Sequence, residues 1–240
     1  MVGFTDETGS YGQESTEVAT EDFIARLREA VVRPLDGWRQ VYESFSPMDL
    51  ETGERQPRVP QSGADSRRAA VLVPVLPESE GARLVYTVRK DHLKDHAGQV
   101  SFPGGNSGPE DASLLATALR EAEEEIDLRP ELVEVIAELE EMYIPSSRFL
   151  VTPFVGLLPQ EAELMVLDPE EVDGIFSVSL EELMSPQAFR KVIWEHDGRP
   201  HEVPVFAVAG REIWGATAAM TAGLLARLGW KAGDTTQTED

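Results

Sequence analysis

The chain has no cysteine and no long apolar run, and each absence excludes a class of protein. Without cysteine there is no disulfide framework, no thiolate zinc site and no cysteine nucleophile. Because no stretch approaches the roughly 18 apolar residues that cross a bilayer, we expect no transmembrane helix and no membrane partner. No basic patch followed by an apolar core is present at the N-terminus, so we predict no secretory signal and a cytoplasmic protein.

Basic residues are also scarce. The 240 residues include 21 Lys plus Arg against 44 Asp plus Glu, which gives a formal net charge of −23. A surface of this sign repels nucleic-acid phosphates, so we expect no nucleic-acid partner. It also repels free nucleotides unless metal cations or a local basic patch intervene. The positions of the acids therefore matter more than their number.

The polar ends of the chain contrast with an apolar middle. The length and the composition, 41% hydrophobic and 27% charged, fit one domain with a full core. Residues 1–20 and 231–240 are polar and are predicted to be disordered tails. Residues 21–66 carry two short helical patterns and then a Pro- and Gly-rich loop, which predicts a helical extension. The core domain is predicted over residues 67–230.

Hydrophobic periodicity predicts the elements of the core domain. Short apolar or alternating runs predict strands at residues 69–76, 83–88, 132–142, 149–158, 172–178 and 203–208. Helical spacing predicts helices at residues 113–126, 180–184 and 214–228. His196 and His201 flank Gly198, which predicts a hairpin tip. Strands mixed with helices, without a strict strand–helix repeat, predict an α/β fold in which helices pack on a mixed β-sheet.

The helix predicted over residues 113–126 carries several carboxylates on one side. At about 100° per residue, Glu121, Glu124 and Glu125 converge within an arc of about 100°. Arg120 lies one turn before Glu124 and is expected to pair with it. The buried stripe beside them consists of Leu115, Leu119, Ala122 and Ile126. Three like charges on neighbouring faces are costly without a cation, and clustered hard oxygen ligands suit Mg²⁺ or Mn²⁺.

A glycine loop precedes this helix. Its sequence, Phe102-Pro-Gly-Gly105, lets the backbone approach a metal ion or a phosphate closely. Mg²⁺ commonly lies between carboxylates and substrate phosphates, which removes the repulsion between an acidic protein and a nucleotide. The loop and the helix therefore predict a divalent-metal site for a small molecule that carries phosphate.

The segment from this loop to the end of the helix resembles the Nudix box. That box reads Gly, five residues, Glu, seven residues, Arg-Glu, an apolar residue, any residue, Glu-Glu, any residue, Gly, an apolar residue. Arg120-Glu-Ala-Glu-Glu-Glu125 matches its helical part position by position. Gly105 and Asp111 match its opening, with Asp in place of Glu and one extra residue before Arg120. Asp127 stands where the box has a Gly that caps the helix in a left-handed conformation, which Asp tolerates.

The resemblance implies a Nudix α/β/α sandwich and a metal-dependent attack of water on a nucleoside diphosphate linked to another group. It implies that Glu121, Glu124 and Glu125 bind Mg²⁺ or Mn²⁺ together with the carbonyl of Gly104. Arg120 belongs to the same catalytic set, and Glu121 serves as the base or orients it. A further base or ligand is expected from a downstream loop, and four candidates remain open: Glu140, Glu141, Glu170 and Glu171.

The residues upstream of the box are similar to the extra signature of the coenzyme A diphosphatase branch of the family. Thr87, Arg89, Gly98 and Phe102 to Gly105 match that signature in place. Its second Arg is Lys94 here, which keeps the charge but loses the bidentate fork of Arg. The substrate-binding residues implied by this resemblance are Arg89, Lys94, His96, Gln99, Phe102 and Gly105.

The reaction implied by the resemblance is hydrolysis of the diphosphate of coenzyme A or acyl-coenzyme A to 3′,5′-ADP and (acyl-)phosphopantetheine. Two departures, Lys94 and a Lys90 where the signature has a small residue, keep another nucleoside diphosphate conjugate open as the substrate. A third hypothesis is a Nudix-fold regulator that binds nucleotides without hydrolysis, although a pure binding module need not keep the complete carboxylate set. The sequence does not decide between a monomer and a homodimer.

Overall fold

The structure, a computed structural model, describes residues 10–59, 66–79, 81–90 and 98–232. This part of the chain forms five α-helices and two β-sheets. The helices are α1 (Ser10–Val31), α2 (Trp38–Ser44), α3 (Leu114–Ile126), α4 (Leu180–Met184) and α5 (Gly215–Arg227). The strands are β1 (Met48–Asp49), β2 (Arg67–Glu78), β3 (Gly81–Arg89), β4 (Val100–Ser101), β5 (Gly104–Asn106), β6 (Glu134–Glu138), β7 (Met142–Ile144), β8 (Phe149–Leu157), β9 (Val172–Ser179), β10 (Phe189–His196), β11 (Arg199–Val208) and β12 (Arg211–Trp214).

The larger sheet has eight strands, and its main path runs β4–β3–β2–β8–β6. Strand β5 lies beside β2, β7 beside β8, and β9 beside β3. Strands β2 and β8 are parallel, whereas the other pairs are antiparallel, so the sheet is mixed, as the sequence predicts. The central strand β2 is covered on both faces, which explains its continuous apolar run.

Helices cover the two faces of this sheet. On one face, Ala122 and Ile126 of α3 pack against Ala70 and Leu72 of β2. On the other face, α1, α2 and α5 pack against the alternate residues of β2, among them Val73. Because helices lie on both sides of a mixed sheet, the predicted α/β/α sandwich is confirmed. No helix within the described ranges is long and apolar enough to cross a bilayer.

The smaller sheet contains β1, β10, β11 and β12. Its central hairpin joins β10 to β11 through Asp197 and Gly198, which have φ values of 52° and 75°. A two-residue turn with both φ positive matches the twist of the flanking strands. The predicted hairpin tip between His196 and His201 is therefore confirmed. The sequence did not predict β10, because its exposed charged residues interrupt the apolar pattern.

The N-terminal helix is longer than the sequence predicts. Helix α1 begins at Ser10 and so extends through residues 10–20, which the sequence assigns to a disordered tail. The Thr20 hydroxyl donates to the carbonyls of Glu78 and Ser79 at 2.8 and 3.0 Å, which ties the helix to the end of β2. Residues 1–9 and 233–240 of the predicted tails lie outside the described residues.

Candidate active site

Both ends of α3 are capped by side chain or backbone. The Ser113 hydroxyl accepts a hydrogen bond from the Ala116 N–H at 3.1 Å, as an N-cap does. The helix ends at Asp127, which has φ 57° and donates its N–H to the Glu123 carbonyl at 3.1 Å. The prediction that Asp127 replaces the capping glycine in a left-handed conformation is thus confirmed. The caps fix the position of α3 and of the carboxylates that it carries.

The glycine loop joins α3 to the sheet at close range. A Cβ on Gly104 would lie 2.4 Å from the Ala70 carbonyl oxygen and 2.6 Å from Val71 Cα, so only glycine fits there. A Cβ on Gly105 would lie 2.4 Å from a carboxylate oxygen of Glu121. The backbone of Gly104 donates a hydrogen bond to the Glu125 carboxylate. The loop therefore places backbone against two of the predicted metal ligands.

Arg120 is the centre of the ion pairs on α3. Its Nε and Nη2 bond the two carboxylate oxygens of Asp111 at 2.9 and 3.0 Å. Its Nη1 bonds Glu124 Oε2 at 2.9 Å, which confirms the predicted pair. Its Nη2 also lies 3.0 Å from Glu121 Oε1. One guanidinium thus contacts three carboxylates.

Asp111 anchors this guanidinium. Besides Arg120, it accepts hydrogen bonds from the Gly108 N–H and the Thr117 hydroxyl, both at 2.9 Å. The hydrogen bond from Arg120, followed by that from Gly108, holds the pKa of Asp111 well below its usual range. Asp111 is shorter than the Glu of the box, and one extra residue precedes Arg120. The two side chains nevertheless form a bidentate ion pair.

Glu125 is the buried member of the set, with 4% of its surface exposed. Burial, followed by the neighbouring charges of Glu171 and Glu121, raises the pKa of Glu125 to about 8. Burial is also the main reason that the pKa of Glu121 is raised, and Arg120 opposes that shift. Among the residues that the structure describes, no basic side chain forms a salt bridge with Glu125.

One of the four downstream candidates joins these carboxylates. Glu171, just before β9, lies close enough to raise the pKa values of both Glu121 and Glu125. Arg89 Nη2 lies 2.7 Å from Glu171 Oε1. The signature arginine and the downstream carboxylate therefore meet beside the Nudix-like helix.

The other three candidates have different surroundings. Glu140 pairs with Arg227, which is almost fully buried, on the opposite face of the sheet. Glu141 pairs with Arg68. Glu170 is exposed to solvent, although it is adjacent to Glu171 in sequence. The choice among the four follows from the path of the chain and not from residue type.

The predicted substrate-binding residues occupy different environments. Arg89 lies at the carboxylates, and its backbone N–H donates to the Gln99 carbonyl at 3.0 Å. Phe102 is only 2% exposed and stacks on Tyr86 with the ring centroids 4.8 Å apart, so its side chain packs in the core and does not face a substrate. Two further predicted substrate-binding residues, Lys94 and His96, lie outside the described residues.

The donor set of this site suits a divalent cation. In the described ranges no three Asp, Glu or His side chains are already arranged around one point, and both Glu121 and Glu124 are turned onto Arg120. Even so, the charge of Glu171 raises the pKa values of both Glu121 and Glu125, and the charge of Glu121 adds to the shift of Glu125. Hard oxygen donors with excess negative charge are the ligands that Mg²⁺ and Mn²⁺ prefer.

Comparisons with solved structures find partial similarity at low sequence identity. A MutT protein from Methanosarcina mazei Go1 has a TM-score of 0.47 and 16% identity, covering 71% of this chain and 100% of that one. The Nudix hydrolase RenU from M. smegmatis has a TM-score of 0.46 and 17% identity, covering 77% of this chain and 94% of that one.

Sequence comparisons assign the family. The model of the NUDIX domain matches residues 66–197. Two proteins described as uncharacterized Nudix hydrolase NudL, from Yersinia pestis (strain Pestoides F) and Yersinia pseudotuberculosis serotype O:1b, are each 43% identical over 155 residues. The matched region covers 65% of this chain and 76% of each relative. The chain therefore belongs to the Nudix hydrolase family.

Proposed function

We propose that the protein is a coenzyme A diphosphatase, which hydrolyses coenzyme A or acyl-coenzyme A to 3′,5′-ADP and (acyl-)phosphopantetheine. The position of Arg89 carries this proposal. The arginine that matches the coenzyme A signature lies 2.7 Å from Glu171, beside the carboxylates of the Nudix box. A guanidinium at that place is suited to bind an oxygen of the substrate diphosphate.

Nudix hydrolases generally use divalent metals such as Mg²⁺ or Mn²⁺. Glu121, Glu124 and Glu125 would hold the cation here, with the carbonyl of Gly104, and we add Glu171 to this set. When bound, the cation neutralises charge on the diphosphate and lowers the pKa of the attacking water.

The other roles in the proposed mechanism are assigned to side chains of the protein. Arg120, anchored by Asp111, holds Glu121 and Glu124 on the same side of α3. Glu121 is largely buried, and its raised pKa makes it a stronger base than an exposed glutamate. In the proposed mechanism Glu121 accepts or directs the proton of the attacking water. Arg89, whose guanidinium is paired with Glu171, orients the diphosphate.

Another nucleoside diphosphate conjugate is the second candidate substrate. Lys90 favours it, since this lysine replaces a small residue of the signature and its Nζ lies 2.6 Å from Asp173 Oδ1. A lysine that is already paired contributes less to recognition of the 3′-phosphate that distinguishes coenzyme A.

Hydrolysis assays with Mg²⁺ and with Mn²⁺ test the proposal. The panel contains coenzyme A, dephospho-coenzyme A, acetyl-coenzyme A, adenosine diphosphate ribose and a dinucleotide, and products are identified by mass. We expect clear preference for coenzyme A forms, with 3′,5′-ADP as the common product. Equal turnover of dephospho-coenzyme A supports the second candidate. Turnover of only the other conjugates overturns the coenzyme A assignment and retains the chemistry.

A further inference from the structure

Two tryptophans of the smaller sheet contact each other. Trp194 on β10 and Trp214 at the end of β12 have ring centroids 4.8 Å apart, with their planes at 85°. Trp214 is the cross-strand partner of Val205 on β11. The next residue of β11, Phe206, is the partner of Ile213, and both of these side chains lie in the larger hydrophobic core. Because side chains alternate along a strand, the pair lies on the face of this sheet that points away from that core.

The surroundings of this pair differ from those of the other tryptophans. Trp230 packs among the rings of Phe45, Phe189 and Phe206. Trp38 packs against Tyr42, and the guanidinium of Arg39 lies 5.3 Å from its ring centroid. Both Trp194 and Trp214 are partly exposed, and in the described part of the chain they contact no third aromatic ring and no cation. Part of the surface of each ring is therefore accessible to another planar group.

The pair lies beside the strand that leads to the glycine loop. Strand β12 runs next to β4, and the hydroxyl of Thr217, in the first turn of α5, donates to the Val100 carbonyl at 2.9 Å. From Val100 the chain reaches Gly104, which bonds Glu125, over a span of at most about 14 Å. The strand that carries Trp214 is therefore joined to the glycine loop through a short stretch of chain, and in a nucleotide only a ribose separates the base from the diphosphate.

Resting on the proposed function, we propose that Trp194 and Trp214 form the platform on which the adenine base of the substrate stacks. An aromatic platform suits this acidic protein because the base is neutral and is bound through its π face. Arg190, a basic side chain on the same face of the sheet, is already paired with Glu212 at 2.6 Å. The pair thus contributes to substrate affinity, and the chemical step belongs to the carboxylates on α3.

Steady-state kinetics with coenzyme A test this role. We expect Trp194→Leu and Trp214→Leu each to raise KM about tenfold while kcat changes by less than about threefold, as loss of base stacking predicts. Trp194→Phe and Trp214→Phe keep an aromatic face and are expected to recover part of the affinity. Trp38→Leu is the matched control, since Trp38 lies on α2, and both constants are expected to stay at the wild-type values. Melting temperatures of all variants check that they fold.

Tryptophan fluorescence gives a second test that needs no turnover. Titration with 3′,5′-ADP or with ADP is expected to quench emission in the wild type and in Trp38→Leu, and not in the Trp194→Leu/Trp214→Leu double variant. If the wild type hydrolyses coenzyme A and KM is unchanged in both single variants, the stacking inference is overturned and the proposed function stands. If the wild type does not hydrolyse coenzyme A, the proposed function fails, and absence of quenching by either nucleotide overturns the inference as well.

Discussion

Two groups of carboxylates differ in how their charges are neutralised: the adjacent pair Glu140 and Glu141, and the carboxylates around α3. Glu140 and Glu141 each have an arginine of their own, Arg227 and Arg68. This pair is therefore balanced charge for charge. The two ion pairs link the segment between β6 and β7 to α5 and to β2, and they leave neither carboxylate without a counter-charge.

The carboxylates around α3 are not balanced in this way. Two arginines, Arg89 and Arg120, serve a larger set of acids, which consists of Asp111, Glu121, Glu124, Glu125 and Glu171. Burying carboxylates in excess of cations raises their pKa values and costs folding free energy. A bound divalent cation would remove that cost, so the excess of negative charge supports the proposal that these carboxylates form a metal site.

The largest effect that separates the two sites is expected from Glu124→Gln. Loss of this carboxylate removes a charge that stabilises the transition state, so we expect at least a hundredfold fall in kcat, about 3 kcal/mol in barrier height. Single-turnover and steady-state assays measure it. Two controls carry the same substitution, Glu123→Gln on the exposed side of α3 and Glu141→Gln in the balanced pair, and both are expected to stay within about threefold of wild type. Unchanged turnover in Glu124→Gln would remove that residue from the site.

The next effect concerns the loop that holds the carboxylates against the sheet. Gly104→Ala forces a Cβ onto the backbone of Ala70 and Val71, and we expect a loss of about 3 kcal/mol in unfolding free energy. Gly174→Ala on β9 is the matched control, because nothing lies within 4 Å of its new Cβ. Chemical denaturation measures both, and the control is expected to change stability by less than about 0.5 kcal/mol. Equal stability of the two variants would show that the close approach at Gly104 is not required.

Glu140→Gln tests whether the ion pair between Glu140 and Arg227 has a structural role only. It leaves the guanidinium of Arg227 without a counter-charge, and that side chain is only 3% exposed. We expect a loss of about 2 kcal/mol in unfolding free energy, with the activity of the folded fraction unchanged. Denaturation combined with active-site titration measures both quantities. A large fall in kcat with normal stability would instead place Glu140 in the reaction.

The smallest effect is expected at Asp111, and it depends on pH. Folding lowers the pKa of this carboxyl, so its contribution is present above the pKa of the unfolded chain, about 3.9, and is lost as the pH falls through the folded value. Asp111→Asn should melt about 2–4 °C below wild type near pH 7, and this gap should narrow below about pH 4. Melting curves from pH 7 to pH 3 test it. A gap that stays constant across that range would show that the carboxylate charge does not matter.

Features that depend on neighbouring residues in the chain could be predicted from the sequence. The helix predicted over residues 113–126 is α3, Leu114–Ile126, with the expected left-handed cap at Asp127. Helix α4 also has the predicted bounds, Leu180–Met184. Periodicity and capping are local properties, so a single sequence is enough to find them.

Features that depend on tertiary contacts could not be predicted in this way. Glu170 and Glu171 are identical in type and adjacent, yet the second faces Glu125 and the first faces solvent, since the turn that begins at Asp168 sets their directions. The short strands β4, β5 and β7 have no periodicity of their own and exist because they pair with longer strands. Burial of Phe102 against Tyr86 is likewise a property of the folded chain.

A Mg²⁺ titration of the melting temperature tests most directly whether the unbalanced carboxylates form the metal site. Wild type and Glu141→Gln should both be stabilised, by about 2.7 kcal/mol at a hundredfold excess of Mg²⁺ over its dissociation constant. Glu125→Gln should melt close to wild type without Mg²⁺, because a carboxyl with a pKa of about 8 is largely protonated at neutral pH and the amide is also neutral. It should respond little to the metal, because the amide cannot supply the anionic oxygen of a glutamate ligand. An equal response to Mg²⁺ in all three proteins, or no response in the wild type, would contradict the assignment.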